Sequence, residues 1–349
     1  MSALIITALV VLVFIVIYQI TRASEMATIL KDEEKVSAST NKLMSWMWVG
    51  FFILGLIGIY KCHHYLMPMM LPESASVEGA KYDQMLLITL YITGFVFFAT
   101  QALLFYFSFK YRSKEGRKAY FYAHNNKLEV IWTTIPALVL LVLVVFGLRN
   151  WIAITSPAPE NSLVVEVVGK QFNFIVRYPG PDGVFGTKNF RLINDANNPL
   201  GLDWNDPASK DDIIIETGEL HIIKDRPVKL VLGSRDVIHN VGLNHFRVKM
   251  DCVPGITTTL WFTPSITTEE MKSILQKPDF VYEIACSEMC GKGHYSMKGT
   301  VVVQTQDEFD TWIKEQKSYY SIAFGTEEKE AAPATTDTVT TSENAVAIR

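Results

Sequence analysis

Cys286-Ser287-Glu288-Met289-Cys290-Gly291-Lys292-Gly293-His294-Tyr295-Ser296-Met297 places two thiols, an imidazole and a thioether within one short loop. These are soft ligands, and copper is the common metal that takes this mixture. A Cys-x-x-Cys pair would point to zinc or thiol redox chemistry; Cys-x3-Cys-x3-His-x2-Met points to neither. A second imidazole, His239, stands upstream in Asp236-Val237-Ile238-His239. Two cysteines, two histidines and a methionine exceed what a single blue-copper atom uses. The surplus thiolate is accounted for if both sulfurs bridge two coppers. A disulfide between Cys286 and Cys290 is the competing reading in an oxidising compartment, but it leaves His239, His294 and Met297 without a role. Cys62 and Cys252 fall outside the pattern and read as buried free thiols that pack as small hydrophobes.

The loop resembles that of subunit II of the haem–copper cytochrome c oxidases, Cys-x-Glu-x-Cys-x3-His-x2-Met, which holds the dinuclear CuA centre. The resemblance runs over about residues 85–320. It takes in Asp236-Val237-Ile238-His239 and Lys249-Met250-Asp251-Cys252-Val253-Pro254-Gly255. It implies that Cys286 and Cys290 bridge two coppers, that His239 and His294 are terminal ligands and that Met297 is axial. Glu288 would ligate through its backbone carbonyl, while its side chain helps bind Mg or Mn at the junction with subunit I. Asp251 would pair with basic residues of that subunit, which alone carries the haems. Ordinary surface carboxylates are the alternative for both acids.

With 49% hydrophobic residues and a net charge of −4, the chain is too apolar for an average soluble protein, and nothing in it argues for nucleic acid. Apolar runs at 4–20, 43–60, 85–109 and 130–148 predict four transmembrane helices. The first could be a signal-peptide core, but no basic residue precedes it and it exceeds the usual length of one; it reads as a retained helix. The segment 21–42 holds Arg22, Lys31, Lys35 and Lys42, and 110–128 holds Lys110, Arg112, Lys114, Arg117, Lys118 and Lys127, whereas 63–84 holds only Lys81. The positive-inside rule then puts the N-terminus and everything after residue 149 outside. The expected place is a bacterial inner membrane, multi-pass, with the copper domain on the periplasmic side. Members of the resembled family commonly have two helices, so residues 1–62 read as a two-helix extension ahead of the hairpin at 85–150. His63 and His64, at the outer end of the second helix, read as interfacial polar residues.

From about residue 160 the pattern turns to short β-type runs: 163–168, 172–178, 221–223, 228–232, 246–250, 257–262, 280–284 and 300–303. The resemblance makes residues 160–320 a cupredoxin-like Greek-key β-barrel, with a short helix at 307–317. Residues 181–212 interrupt the strands as an insertion loop rich in Asp, Asn, Gly and Pro. They read as an acidic face that steers a basic cytochrome c, or simply as a solvated insertion. The tail at 326–349 is low in complexity and lacks the large apolar residues of a core.

Two further residues gain roles by resemblance. Gly169-Lys170-Gln171-Phe172-Asn173-Phe174 is similar to the family's aromatic electron-accepting motif, but Phe172 and Phe174 stand where tryptophans are usual. Phe172 either serves a tethered or complex-bound cytochrome c donor, or fills the same pocket at the edge of the core. Glu129, at the start of the fourth helix, resembles the glutamate at a proton-channel entrance; a carboxylate favoured by the helix dipole is the alternative. The implied function is electron transfer from cytochrome c through CuA to subunit I, for oxygen reduction coupled to proton pumping. Nitrous oxide reductase shares the loop but typically has Trp at the position of Glu288 and is soluble. A quinol oxidase subunit would lack the copper ligands, and a copper-delivery protein would need an exchangeable, usually mononuclear site.

Overall fold

The computed structural model describes residues 2–30, 33–114 and 116–325. The tail at 326–349 lies outside them. The chain divides into two compact units: a helical one of residues 1–74 and 80–153, and a β unit of residues 154 onward that also takes in Ala75–Gly79.

The helical unit contains α1 (Ser2–Leu30), α2 (Glu33–Leu66), α3 (Val77–Lys110) and α4 (Asn126–Thr155). Among the described residues, three stretches are long and apolar enough to cross a membrane: Ser37–Met69, Val77–Lys110 and Asn126–Thr155. The fourth expected span, on α1, forms a helix but is not among the three. Side chains such as Phe95 and Val144 point outward along α3 and α4, as they would toward lipid or a neighbouring subunit. α2 meets α3 through aromatic pairs, Trp46 with Phe109 and Phe52 with Phe105, each 4.9 Å between ring centroids. α4 is capped by Asn125, whose Oδ1 accepts from the Leu128 N–H at 3.1 Å. Cys62 is exposed rather than buried. It lies at the polar end of α2, where no core covers it.

Ala75–Gly79 is stitched into the β unit. The Ala75 N–H donates to the His245 carbonyl at 2.7 Å and the Val77 N–H to that of Thr263 at 3.0 Å. Ser76 Oγ donates to the Phe246 carbonyl at 2.7 Å and accepts from the Gly79 N–H at 2.9 Å, capping α3. Glu78 accepts from the Thr263 N–H.

The β unit is a sandwich of two five-stranded sheets. One comprises β1 (Leu163–Lys170), β2 (Asn173–Tyr178), β3 (Ile213–Ile215), β5 (Val228–Ser234) and β8 (Thr258–Phe262), in the order β3-β2-β1-β5-β8. The other comprises β4 (Leu220–Ile223), β6 (His239–Leu243), β7 (Val248–Cys252), β9 (Tyr282–Ala285) and β10 (Lys298–Gln304), in the order β4-β10-β9-β6-β7. Among the described residues no strand ladder joins the two sheets, so the expected β-barrel is only half closed. Between β7 and β8 the chain turns at Val253-Pro254-Gly255-Ile256. The Ile256 N–H donates to the Val253 carbonyl, and Gly255 takes φ 72°. Pro254 lacks the N–H that a continuing ladder would need.

Alternation places Val228, Leu230 and Leu232 of β5 inward, against Val165 and Val167 of β1, Val241 and Leu243 of β6, and Ile284 of β9. Fully burying each such side chain contributes about 1.5–3 kcal/mol. Two strands were not expected, β3 and β6. Phe246 belongs to a one-turn 3-10 helix, Asn244–Phe246, rather than to a strand. The short helix expected at 307–317 is α6 (Gln306–Glu315), begun by a Thr305/Glu308 capping box. Two more helices, α5 (Thr268–Leu275) and α7 (Tyr319–Phe324), complete the unit.

The insertion at 181–212 is ordered by its own polar groups. Arg177, buried in β2, pairs with Asp212 and with Glu166 (3.0 Å), and Glu166 also takes Lys188. Asp182, Asp203 and Asp206 accept from backbone N–H groups of Val184, Asn205 and Ala208. These bonds order the loop and leave the charges of Asp182, Asp203 and Asp206 in place, whereas Asp212 is offset by Arg177.

Candidate metal centre

The loop 286–297 connects β9 to β10, which pair antiparallel with Lys298 opposite Ala285. Its neck is closed by the Cys286 N–H, which donates to the Met297 carbonyl at 3.0 Å. A turn of 3-10 helix at His294–Ser296 folds the loop back on itself. His239 opens β6, the neighbour of β9, and so faces the same space.

The donors converge. Cys286 Sγ lies 3.8 Å from Cys290 Sγ, 3.9 Å from His239 Nδ1 and 3.1 Å from the Glu288 carbonyl oxygen. Cys290 Sγ lies 3.7 Å from His294 Nδ1 and 3.8 Å from Met297 Sδ. Both cysteines are free thiols, so the disulfide reading does not hold in this structure. His239, Cys286 and Cys290 are buried and could hold a metal ion. Burial and the neighbouring Cys286 push the Cys290 thiol up to about 11, so a metal binding there must displace its proton.

The opposite sheet braces this set. A side chain on Gly169 would put its Cβ 2.7 Å from His239 Cδ2, so the imidazole lies flat against the Gly169 backbone. His239 Nε2 is 2.7 Å from Asp236 Oδ1, which leaves Nδ1 turned toward the cysteines. Burial would raise the Asp236 carboxyl, but hydrogen bonds from the Gln171 N–H, His239 and the Val237 N–H prevail and hold it low. Gln171 does more: its Nε2 donates to the Cys290 carbonyl at 2.7 Å. One residue thus ties the histidine arm to the cysteine loop. Phe172 is partly exposed, and its ring fills the space beside Gly293, where an added Cβ would meet Cγ at 2.5 Å.

Other expected residues lie apart from the donors. The Glu288 side chain is exposed. Asp251, exposed on β7, accepts from the buried Asn240 amide at 2.6 Å. Glu129 lies in the first turn of α4 and is exposed. Cys252, opposite His239 across β6 and β7, is buried, and burial pushes its thiol up to about 12, as expected for a packing residue. Asp236, Gln171 and Gly169 were not singled out from the sequence. An acid three residues before a ligating histidine was the one available signal.

Residues 64–149 match the family described as cytochrome c oxidase subunit II, transmembrane domain, and residues 206–305 match its periplasmic domain. Among curated proteins, the chain is 34% identical over 241 residues to the alternative cytochrome c oxidase subunit 2 of Bradyrhizobium diazoefficiens, covering 69% of this chain and 82% of that one. It is 25% identical over 296 residues to cytochrome c oxidase subunit 2 of Thermostichus vulcanus, covering 78% and 85%. Among solved structures, the periplasmic domain of subunit II of cytochrome oxidase from Bradyrhizobium japonicum matches with a TM-score of 0.30 at 24% identity, covering 45% of this chain and 94% of that one.

Proposed function

Because the chain belongs to the cytochrome c oxidase subunit II family, a membrane oxidoreductase component with an external β domain, we propose that its metal centre is a dinuclear copper site for electron transfer. It would take electrons from a cytochrome c and pass them to the haems of subunit I, where oxygen reduction is coupled to proton pumping. The observation that carries this reading is the convergence of Cys286, Cys290, His239, His294, Met297 and the Glu288 carbonyl, neighbours at 3.1–3.9 Å. The donor set is soft and rich in sulfur, which suits copper used for electron transfer. Bound copper supplies one-electron redox chemistry.

The protein's own contribution is rigidity. Asp236 fixes the His239 ring, Gln171 holds the Cys290 carbonyl, and Gly169 and Gly293 let the two sheets close around the donors. Outer-shell contacts of this kind orient ligands and tune the metal. Phe172, with 39% of its surface exposed over the ligand loop, is proposed as the electron-accepting edge, for a donor that is tethered or complex-bound. Glu129 is proposed as the entrance of a proton channel, the Glu288 side chain as part of a Mg or Mn site shared with subunit I, and Asp251 as a contact to that subunit. The finer architecture belongs here too: α1 as a fourth span, a cupredoxin-like β unit, and a bacterial inner membrane with that unit on the periplasmic side.

Metal analysis and electron paramagnetic resonance of the copper-loaded chain test the central claim. Two coppers per chain with a mixed-valence spectrum are expected. A single copper with a mononuclear spectrum, readily removed by a mild chelator, would overturn it.

A further inference from the structure

Lys61-Cys62-His63-His64-Tyr65-Leu66-Met67-Pro68-Met69-Met70 holds three of the chain's 12 methionines within four residues. No function discussed above uses them. We propose that the end of α2 and the turn after it form a second metal site, selective for Cu(I), built from the His63 imidazole and the thioethers of Met67 and Met70.

The backbone sets these three side chains in a column. α2 runs to Leu66 and passes directly into the next turn, which places Met67 about one turn on from His63. Met67–Met69 is then a single 3-10 turn, in which the Met70 N–H donates to the Met67 carbonyl at 3.2 Å. Side chains three apart in that geometry eclipse one another, which brings Met70 over Met67. Met69 falls on another side of the turn.

All three donors are exposed, Met67 at 57% and Met70 at 52%. His63 has no hydrogen-bond or ring partner among the described residues, whereas His64 stacks on Tyr60 at 6.4 Å. The span Ser37–Met69 has 33 residues. At ~1.5 Å per residue it is ~50 Å long, against a hydrocarbon core of ~30 Å. Its ends must project, and Lys61, His63 and His64 mark the one that carries these donors. Anchoring at an interface needs no sulfur, since Leu or Ile would serve. Two thioethers and an imidazole, with no carboxylate among them, favour Cu(I) over Zn or Cu(II).

The chain then runs five residues to Ala75, which is bonded into the β unit. The role inferred is acquisition of copper for the centre in that unit. That role rests on the proposed function; the binding itself does not.

The test uses the full chain in detergent carrying C286S and C290S, which cannot assemble the thiolate centre, and C62S, which removes the exposed thiol beside His63. It is titrated anaerobically with Cu(I) against a chromophoric Cu(I) chelator. One Cu(I) per chain is expected, with affinity at least about tenfold weaker in an added M67L/M70L pair and unchanged in M69L. Leu keeps the volume and apolarity of Met, so packing and lipid contacts persist. If the thiol-less chain does not fold, the copper-loaded wild type serves instead, read by the equivalent bound beyond its filled centre and by that equivalent's loss in M67L/M70L. No bound Cu(I), or equal competition curves with and without M67L/M70L, would overturn the site. Because the thiol-less chain lacks the main centre, such a failure leaves the dinuclear reading intact. Conversely, a mononuclear spectrum in the wild type would overturn that reading while leaving this site standing.

Discussion

Gly169→Ala puts the smallest possible side chain against the most constrained ligand. Gly169 sits in β1 between Phe174 of β2 and Ser234 of β5, so its backbone is held from both sides. The new Cβ would lie 2.7, 2.8 and 2.9 Å from Cδ2, Cγ and Cβ of His239. Relaxed carbon contacts lie at ~3.5–4.0 Å, so the ring must retreat by about 0.8 Å or more. It has nowhere free to go: His239 is fully buried, and its Nε2 is held by Asp236 at 2.7 Å. Overpacking costs about 1–3 kcal/mol of stability, which most folded chains survive. Metal–ligand distances tolerate only about 0.2 Å, so the centre suffers first. Copper affinity should fall about 10- to 100-fold, as for other lost outer-shell constraints, with an altered spectrum. Gly233→Ala, also in this sheet with nothing within 4 Å of the added Cβ, controls for the change of residue type. Copper stoichiometry and competition against a chelator, read beside thermal unfolding, make the assay. A G169A chain with the affinity and spectrum of G233A would refute the claim that Gly169 is needed for the seat of His239.

Asp236→Asn should weaken copper binding by about 10- to 100-fold by removing the charged partner of His239, measured by the same competition; unchanged affinity would show that the carboxylate does not orient the ring. Arg177→Met should destabilise the β unit by about 3–5 kcal/mol, because Glu166 and Asp212 stay buried without their shared cation; chemical denaturation reads it, and an unchanged midpoint would count against the network. Glu129→Gln should lower turnover and proton uptake of the assembled oxidase while leaving copper content alone; full activity would end the channel assignment.

The donors were legible because most of them crowd into one loop whose spacing few other chemistries use. Their support was not, because it joins residues far apart in the chain: Gln171 reaches Cys290 across 119 positions and Asp236 across 65. β6 was missed because Asn240 and Gly242 are poor strand formers; pairing with β7 on one side and contact with β9 on the other impose the strand. β3 was missed because Ile213–Ile215 ends a run that reads as loop, and it becomes a strand only when Arg177 draws in Asp212 beside it. The barrel is open where the chain turns at Pro254-Gly255 between β7 and β8, a turn visible in the sequence whose consequence depends on which strands flank it.

Composition misleads most in the insertion, and the donor reaction tests this. Counted as charges, residues 181–212 form an acidic surface that would draw a basic cytochrome c. In the fold, Asp212 is buried against Arg177, while Asp182, Asp203 and Asp206 accept from backbone N–H groups and keep their charges. Asp195 is held by Lys170 at 3.2 Å and Arg235 at 2.8 Å, and these, Arg235 first, keep its carboxyl below the usual range. The flank of Phe172 thus carries paired charges, with Lys292 exposed on the adjoining ligand loop. Long-range steering raises association rates by roughly 10- to 1,000-fold and vanishes as salt shortens the screening length to ~8 Å. Where the carboxylate flanking Phe172 is offset by two cations, there is little of that gain to lose. Oxidation of a soluble basic cytochrome c by the assembled oxidase should therefore change by less than about tenfold between low and physiological ionic strength. A steep fall over that range would mean that the aspartates of the insertion act outward after all, and that the donor is captured by charge rather than held at Phe172 by attachment.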